Sequence, residues 1–392
     1  MQNQSQPPKF ENSTPSRGAS APQSTSKVPQ KQRDREALAF WGLFAFVLFE
    51  LILVTVVLVR TLWVPKPPEA PSDHETVTVG DKPTPTPSTP VFAGGAVPTR
   101  PATTENTKNL TSEIDSQYAI LINAATGEIL AQKDANVQFS PASMTKVMTL
   151  IVACENLTEE DLERRMTLTE DIVKHVTSGN YKDTTCALPH GADYIGDEYR
   201  MKDLLYGIGV MSAADCTYMI AKAVGGSEEG FVDLMNRKAL ALGISETTHF
   251  DNAVGYDSEN NVTTAQDMAL IMAYAMQCEL IADILTPRDD LYPIKAYYKD
   301  DLGAEQSYDV WLKCSFISRE NAQKITLSTV TLNATKTGYT TESFIVCSAK
   351  GKQSKQQYIL VLGNATSVHT SMTAKFKATM TDIETLYNSY AS

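Results

Sequence analysis

Ser140-Pro-Ala-Ser143-Met-Thr-Lys146-Val-Met-Thr149 decides how this 392-residue chain is read. It opens an amphipathic pattern that continues to about Asn156, and helical residues at i and i+3 share a face. Lys146 is therefore placed to reach the hydroxyl of Ser143 at the start of the helix. A serine hydroxyl is a weak nucleophile until a base takes its proton. A lysine serves as that base only where burial or a neighbouring cation brings its pKa toward neutrality. The helix start adds backbone N–H groups aimed at negative charge. Spacing alone is a weak signal, because Ser24-Thr-Ser-Lys27 repeats it in a polar tail.

The surroundings of the motif supply the missing weight. Residues 118–123 (Tyr-Ala-Ile-Leu-Ile-Asn) and 128–132 (Glu-Ile-Leu-Ala-Gln) read as strands joined at Ala125-Thr126-Gly127, a hairpin. Helical patterns occupy 201–208, 213–224, 230–242 and 264–284, and β character returns at 324–332, 343–349 and 357–362. A last helix covers about 371–390. Strands at both ends with helices between predict an α/β domain of the α+β type: an antiparallel sheet built from both ends, flanking helices and an inserted helical region. A second motif, Lys336-Thr337-Gly338 followed by Tyr339, enters the C-terminal sheet. Gly338 lets the backbone approach a ligand closely. The Lys336 ammonium suits a carboxylate, and the Thr337 hydroxyl adds a hydrogen bond.

Toward the N-terminus the composition changes twice. Residues 1–36 have almost no large apolar side chains and are expected to be a disordered tail. The apolar run 37–59 would cross a bilayer core of roughly 30 Å at about 1.5 Å per residue. It is too long for a signal-peptide core, and no small-x-small cleavage site follows before Trp63, so an uncleaved anchor is expected. Lys27, Lys31, Arg33 and Arg35 precede it, which puts the N-terminus in the cytoplasm and the rest outside. Glu50 is a costly carboxylate inside that span. Residues 60–112, with Pro83-Thr-Pro-Thr-Pro-Ser-Thr-Pro90, read as a spacer, leaving 113–392 as the folded domain.

Charge and composition exclude other classes. A net charge of -12 and a pI of about 5.0 argue against nucleic acid as a partner. The six cysteines, Cys154, Cys186, Cys216, Cys278, Cys314 and Cys347, contain no CxxC pair and no zinc-type pattern with a nearby histidine. No metal or organic cofactor is expected. His175, His190 and His249 are too scattered for a Ser-His-Asp arrangement, and Met268, Met272 and Met276 are spaced for core packing.

Serine, lysine and KTG in this order form the set used by penicillin-binding proteins and serine β-lactamases: SxxK, then S-x-N, then KTG. From about Tyr118 to Leu362 the chain resembles the low-molecular-mass penicillin-binding proteins, the serine D-alanyl-D-alanine carboxypeptidases. The resemblance rests on Thr126-Gly-Glu-Ile-Leu, Pro141-Ala-Ser-Met-Thr-Lys-Val-Met-Thr149, Asp203-Leu-Leu-Tyr-Gly207, Met235-Asn-Arg-Lys-Ala239, Thr264-Ala-Gln-Asp-Met-Ala269 and Lys336-Thr-Gly-Tyr-Thr340. It implies that Ser143 is acylated and Lys146 is its base. It implies that Ser212 relays a proton, and that Lys336 and Thr337 hold the substrate carboxylate beside Gly338. The backbone N–H groups of Ser143 and Tyr339 would form the oxyanion hole. The implied substrate is a peptidoglycan stem peptide ending in D-Ala-D-Ala, with β-lactams as covalent inhibitors. The implied location is the bacterial cell membrane, anchored through 37–59 in place of the family's C-terminal amphipathic anchor. One departure stands out: Met211-Ser212-Ala213-Ala214-Asp215 carries Ala214 where the family has Asn. Asp215 or a backbone group is the candidate substitute. Residues 177–196 and 286–320 also depart. A β-lactamase or transpeptidase of the same fold, or a catalytically weakened wall-peptide-binding module, are the alternatives.

Overall fold

The computed structural model describes residues 89–320, 323–365 and 371–391. The expected tail, the apolar run 37–59 with Glu50, and the spacer as far as residue 88 lie outside the described residues. Among the described residues no single helix is long and apolar enough to cross a membrane.

Among the described residues ten strands follow one another: β1 (Ala102–Asn109), β2 (Ser116–Asn123), β3 (Glu128–Lys133), β4 (Arg165–Thr167), β5 (Glu198–Arg200), β6 (Tyr292–Lys299), β7 (Glu305–Leu312), β8 (Val330–Tyr339), β9 (Ser343–Gly351) and β10 (Gln357–Ala365). The main sheet has the order β1-β3-β2-β10-β9-β8, and a smaller one runs β4-β5-β6-β7. β2 pairs antiparallel with β10, Tyr358 against Asn123 and Ala365 against Ser116, so the two ends of the domain meet in one sheet as expected. Among the described strands only β1 joins parallel, along β3.

Apolar runs explain the centre. Ile120 to Ile122, Ile345 to Cys347 and Ile359 to Leu362 are all buried. Strands buried on consecutive residues need cover on both faces. The helices that matter for this are α1 (Lys146–Asn156), α2 (Ala214–Gly225), α3 (Ala265–Ala275), α4 (Glu279–Leu285), α5 (Ser315–Glu320) and α6 (Met372–Tyr390). Both α3 and α6 pack against β2, β9 and β10. Thr264 starts α3 by accepting the Asp267 N–H at 3.0 Å, and Ser371 starts α6 by accepting that of Ala374. Met268 and Met272 are fully buried on α3, as their spacing predicts.

Three expectations change, and one divergent stretch takes a defined form. The folded domain takes in residues 89–112, read above as spacer. Val91 and Phe92 donate to Leu157 O and Cys154 O at 2.8 and 2.9 Å. Phe92 and Leu110 are buried, so a few apolar residues pin a run whose average composition is spacer-like. The helix expected over 264–284 bends by 117° between α3 and α4. The strand expected at 324–332 lies at 330–339 and takes in the KTG residues. The divergent stretch 286–320 forms the β6–β7 hairpin, with Tyr292 opposite Leu312.

Candidate active site

A 3-10 turn, Ala142–Thr145, runs into α1 and carries Ser143. The loop 251–257 clasps this turn. Gly255, at φ +80°, sits so close that a Cβ there would lie 2.0 Å from Ala142 O. Only glycine tolerates both that conformation and that approach. Asn252 Oδ1 fixes the loop by accepting N–H groups from Gly255 (2.6 Å) and Tyr256 (3.1 Å). Thr149 Oγ1 donates to Ala253 O at 2.7 Å.

The clasp buries Lys146, which is 1% exposed. Its Nζ donates to Val254 O at 2.6 Å and lies 3.0 Å from Ser143 Oγ. Burial disfavours the ammonium and pulls the pKa from 10.5 to about 7, against the opposing pull of Cys186 and Asp215. A large share of neutral amine at physiological pH is what a base for Ser143 requires.

The opposite wall begins with a wide π-type turn, Gly207–Met211, that ends at Ser212 in the left-handed region (φ +66°). Such turns and such backbone strain collect at functional sites. Lys336 Nζ reaches across from β8 and donates to Ser212 Oγ at 2.8 Å and to Thr337 O at 2.9 Å. Thr337 Oγ1 is 2.8 Å from Ser315 Oγ on α5. At Gly338 a Cβ would stand 3.1 Å from Pro141 O and 3.2 Å from Ala142 Cβ. β8 thus presses directly on the turn that holds Ser143, which carries the backbone of Tyr339 to the same place.

Ser143, Lys146, Ser212, Thr337 and Tyr339 line one cleft of about 370 Å³. Lys336 meets it through its bond to Ser212, and Gly338 lies between the lining residues Thr337 and Tyr339. All seven residues singled out in the sequence are therefore brought together. Ser315, Val254 and Phe376 also line the cleft, and no local pattern announces Ser315 or Phe376. Asn252-Ala-Val-Gly255 did carry a turn signal that points to the clasping loop.

Ala214 does not face the cleft. It is buried against Tyr181 and Val254, and its N–H donates to Thr185 O at 2.7 Å. Asp215 is no substitute for the absent amide, because its buried carboxylate accepts N–H groups from Ala187 (3.0 Å) and Leu188 (2.7 Å). The divergent segment 177–196 folds over this position instead. It turns Asn180, Thr184 and Thr185 toward the cleft. His175 stacks on Tyr218 at 3.8 Å, and His249 Nδ1 meets Asn260 O at 3.0 Å; neither lines the cleft.

This arrangement is the penicillin-binding DD-peptidase fold. The crystal structure of the Streptomyces K15 DD-transpeptidase matches it with a TM-score of 0.56 at 21% identity, covering 72% of this chain and 98% of that one. A family model described as D-alanyl-D-alanine carboxypeptidase, peptidase S11, matches residues 102–367, and the chain belongs to that family. It is 29% identical over 263 residues to the D-alanyl-D-alanine carboxypeptidase DacF of Bacillus subtilis, covering 66% of this chain and 60% of that protein. With DacC of Escherichia coli the identity is 33% over 162 residues, 40% of this chain and 38% of that protein. The matched part is therefore at most 60% of the length of these relatives.

Proposed function

We propose that this chain is a serine D-alanyl-D-alanine carboxypeptidase that acts on peptidoglycan stem peptides through an acyl-enzyme on Ser143. The observation that carries the proposal is the buried amine of Lys146, 3.0 Å from Ser143 Oγ. Lys146 takes the hydroxyl proton as Oγ attacks the carbonyl carbon of the penultimate D-Ala. The backbone N–H groups of Ser143 and Tyr339 receive the oxyanion, a contact of a kind worth about 10²–10³ in rate. Lys336 and Thr337 hold the terminal carboxylate. Ser212, bonded to Lys336 at 2.8 Å, passes a proton to the leaving amine. The C–N bond breaks, D-Ala departs, and water then cleaves the ester to restore Ser143. A β-lactam presents the same carboxylate and carbonyl and acylates the same oxygen.

The apolar run 37–59 anchors the protein in the bacterial cell membrane with its N-terminus in the cytoplasm. The catalytic domain then faces the wall. The test is mass spectrometry of the full chain after incubation with penicillin, followed by D-Ala release from a peptide ending in D-Ala-D-Ala. An adduct on Ser143 together with D-Ala release supports the reading. An adduct without release points to a weakened penicillin-binding protein or a transpeptidase, and no adduct refutes an active serine site.

A further inference from the structure

Beside the cleft, behind Ala214, lies a group of side chains that the acyl-transfer chemistry does not use. We propose that Cys186, His190 and Asp215 form a binding site for zinc(II) that fastens the segment 177–196 onto the start of α2. Their donor atoms all lie within 4.8 Å of one another. His190 Nε2 is 3.2 Å from Asp215 Oδ2. On a tetrahedral zinc, nitrogen and oxygen ligands about 2.0–2.1 Å from the metal stand roughly 3.3 Å apart, and a thiolate at about 2.3 Å stands roughly 3.6 Å from each. The imidazole–carboxylate spacing already matches that edge. With all donor atoms within 4.8 Å, the thiol needs to close by at most about 1.2 Å to reach the same geometry.

Three further features favour a metal over a chance cluster. Asp215 is oriented by N–H groups on both of its oxygens, Ala187 and Leu188 on Oδ2 and Cys216 on Oδ1 at 2.8 Å, the kind of support that fixes a ligand. Cys186 and His190 are one helical turn's length apart in sequence and flank Ala187 and Leu188, so one short segment wraps the carboxylate. Asp215 is fully buried while Cys186 and His190 are half-buried, which leaves an entry path from one side. A thiolate, an imidazole and a carboxylate together suit zinc rather than magnesium or calcium. Cys186 and His190 stand four residues apart, outside the CxxC spacing, and Asp215 joins them only through the fold.

The site would secure the segment that turns Asn180, Thr184 and Thr185 toward the cleft, at the point where Ala214 leaves the family's amide contact unfilled. Binding releases the thiol proton of Cys186 to solvent, since the thiolate is the ligand. It involves no change of oxidation state.

The test uses the purified full chain in detergent, stripped with a chelator and dialysed against zinc(II) or cobalt(II). The expected result is one equivalent of metal per chain, with a thiolate-to-cobalt charge-transfer band and the visible absorption of a tetrahedral ion. Cys186→Ala and His190→Ala each lose that equivalent, and Cys186→Ala loses the charge-transfer band. Zinc slows alkylation of Cys186 by about tenfold or more, as expected for a coordinated thiolate; the other five cysteines are buried. Penicillin labelling of Ser143 in the same samples reports that the variants remain folded. It also keeps a failure of the acyl-enzyme reading separate from a failure of the metal site. Substoichiometric uptake, or uptake unchanged in Cys186→Ala, overturns the proposal.

Discussion

The protonation of Lys146 should govern the pH profile of acylation. Held at about 7 instead of 10.5 by burial, its ammonium form costs roughly 5 kcal/mol more in the folded protein than in water. The neutral amine is the base, so the penicillin acylation rate should rise with pH and level off just above 7. At pH 5 it should be about one hundredth of the plateau, and at pH 6 about one tenth. Stability follows with a definite sign. Between about 7 and 10.5 the unfolded chain holds the lysine proton and the folded chain does not, so stability rises with pH across that window. Below it the full cost is present. Replacing Lys146 by Met should abolish acylation, and the melting-temperature difference between variant and parent should be most favourable to the variant below pH 7. Single-turnover acylation, quenched in acid and read by mass spectrometry from pH 5 to 10, measures the first effect. A rate that keeps climbing tenfold per pH unit beyond pH 9 would show a lysine that titrates normally. That result would refute the assignment of burial as its activator.

Ser143→Ala should remove the penicillin adduct completely and shift stability by no more than about 0.5 kcal/mol, because the residue carries chemistry rather than packing; intact mass and thermal melting check both. Gly255→Ala forces a side chain into Ala142 O at 2.0 Å and a backbone at φ +80°. It should cost about 1–3 kcal/mol or more and slow acylation by displacing Ser143, read by melting and adduct formation together. Ser212→Ala removes the acceptor of the Lys336 bond and should lower acylation about 10²-fold, the lower range for a lost proton-transfer group, with the fold retained by circular dichroism. Ala214→Asn, which restores the family's residue, should lower both melting temperature and D-Ala release.

What the sequence made legible follows from where its signals are local. Ser143 and Lys146 are three residues apart on one turn, so their contact could be read directly. The β2–β3 hairpin was equally plain, since Gly127 ends the turn between two apolar runs. The meeting of β2 with β10 followed from strands lying at both ends of the domain. The strand that holds KTG was set several residues early, at 324–332 instead of 330–339, because Lys336 and Thr337 are polar yet buried in it, against the usual alternation. The small sheet was missed because β4 and β5 have three residues each and gain order only from β6 and β7. Phe92 and Leu110 were hidden by the proline and threonine around them, although each is buried in the core. Ser315 could not have been found, since only folding brings it to Thr337.

Ala214 looked in the sequence like a missing part. In the fold it is a packing site, and that reverses what its replacement should do. The residue is fully buried against Tyr181 and Val254, and Val254 O is the group that holds the Lys146 amine at 2.6 Å. Its own N–H is tied to Thr185 O. An Asn side chain at this fully buried position must push aside Tyr181, Val254 or their neighbours, and its amide would enter a largely apolar cluster. Overpacking of this kind costs about 1–3 kcal/mol, and an unsatisfied buried amide adds about 1–3 kcal/mol more. The strain would fall on Val254 and through it on Lys146, so acylation should weaken along with stability. An Ala214→Asn variant that instead releases D-Ala faster at an unchanged melting temperature would mean that the segment 177–196 is readily displaced. The cleft would then work as in relatives that carry the amide. A variant that is both less stable and slower would establish that Asn180, Thr184 and Thr185, held over Ala214, are a settled replacement for the amide and set the shape of the cleft.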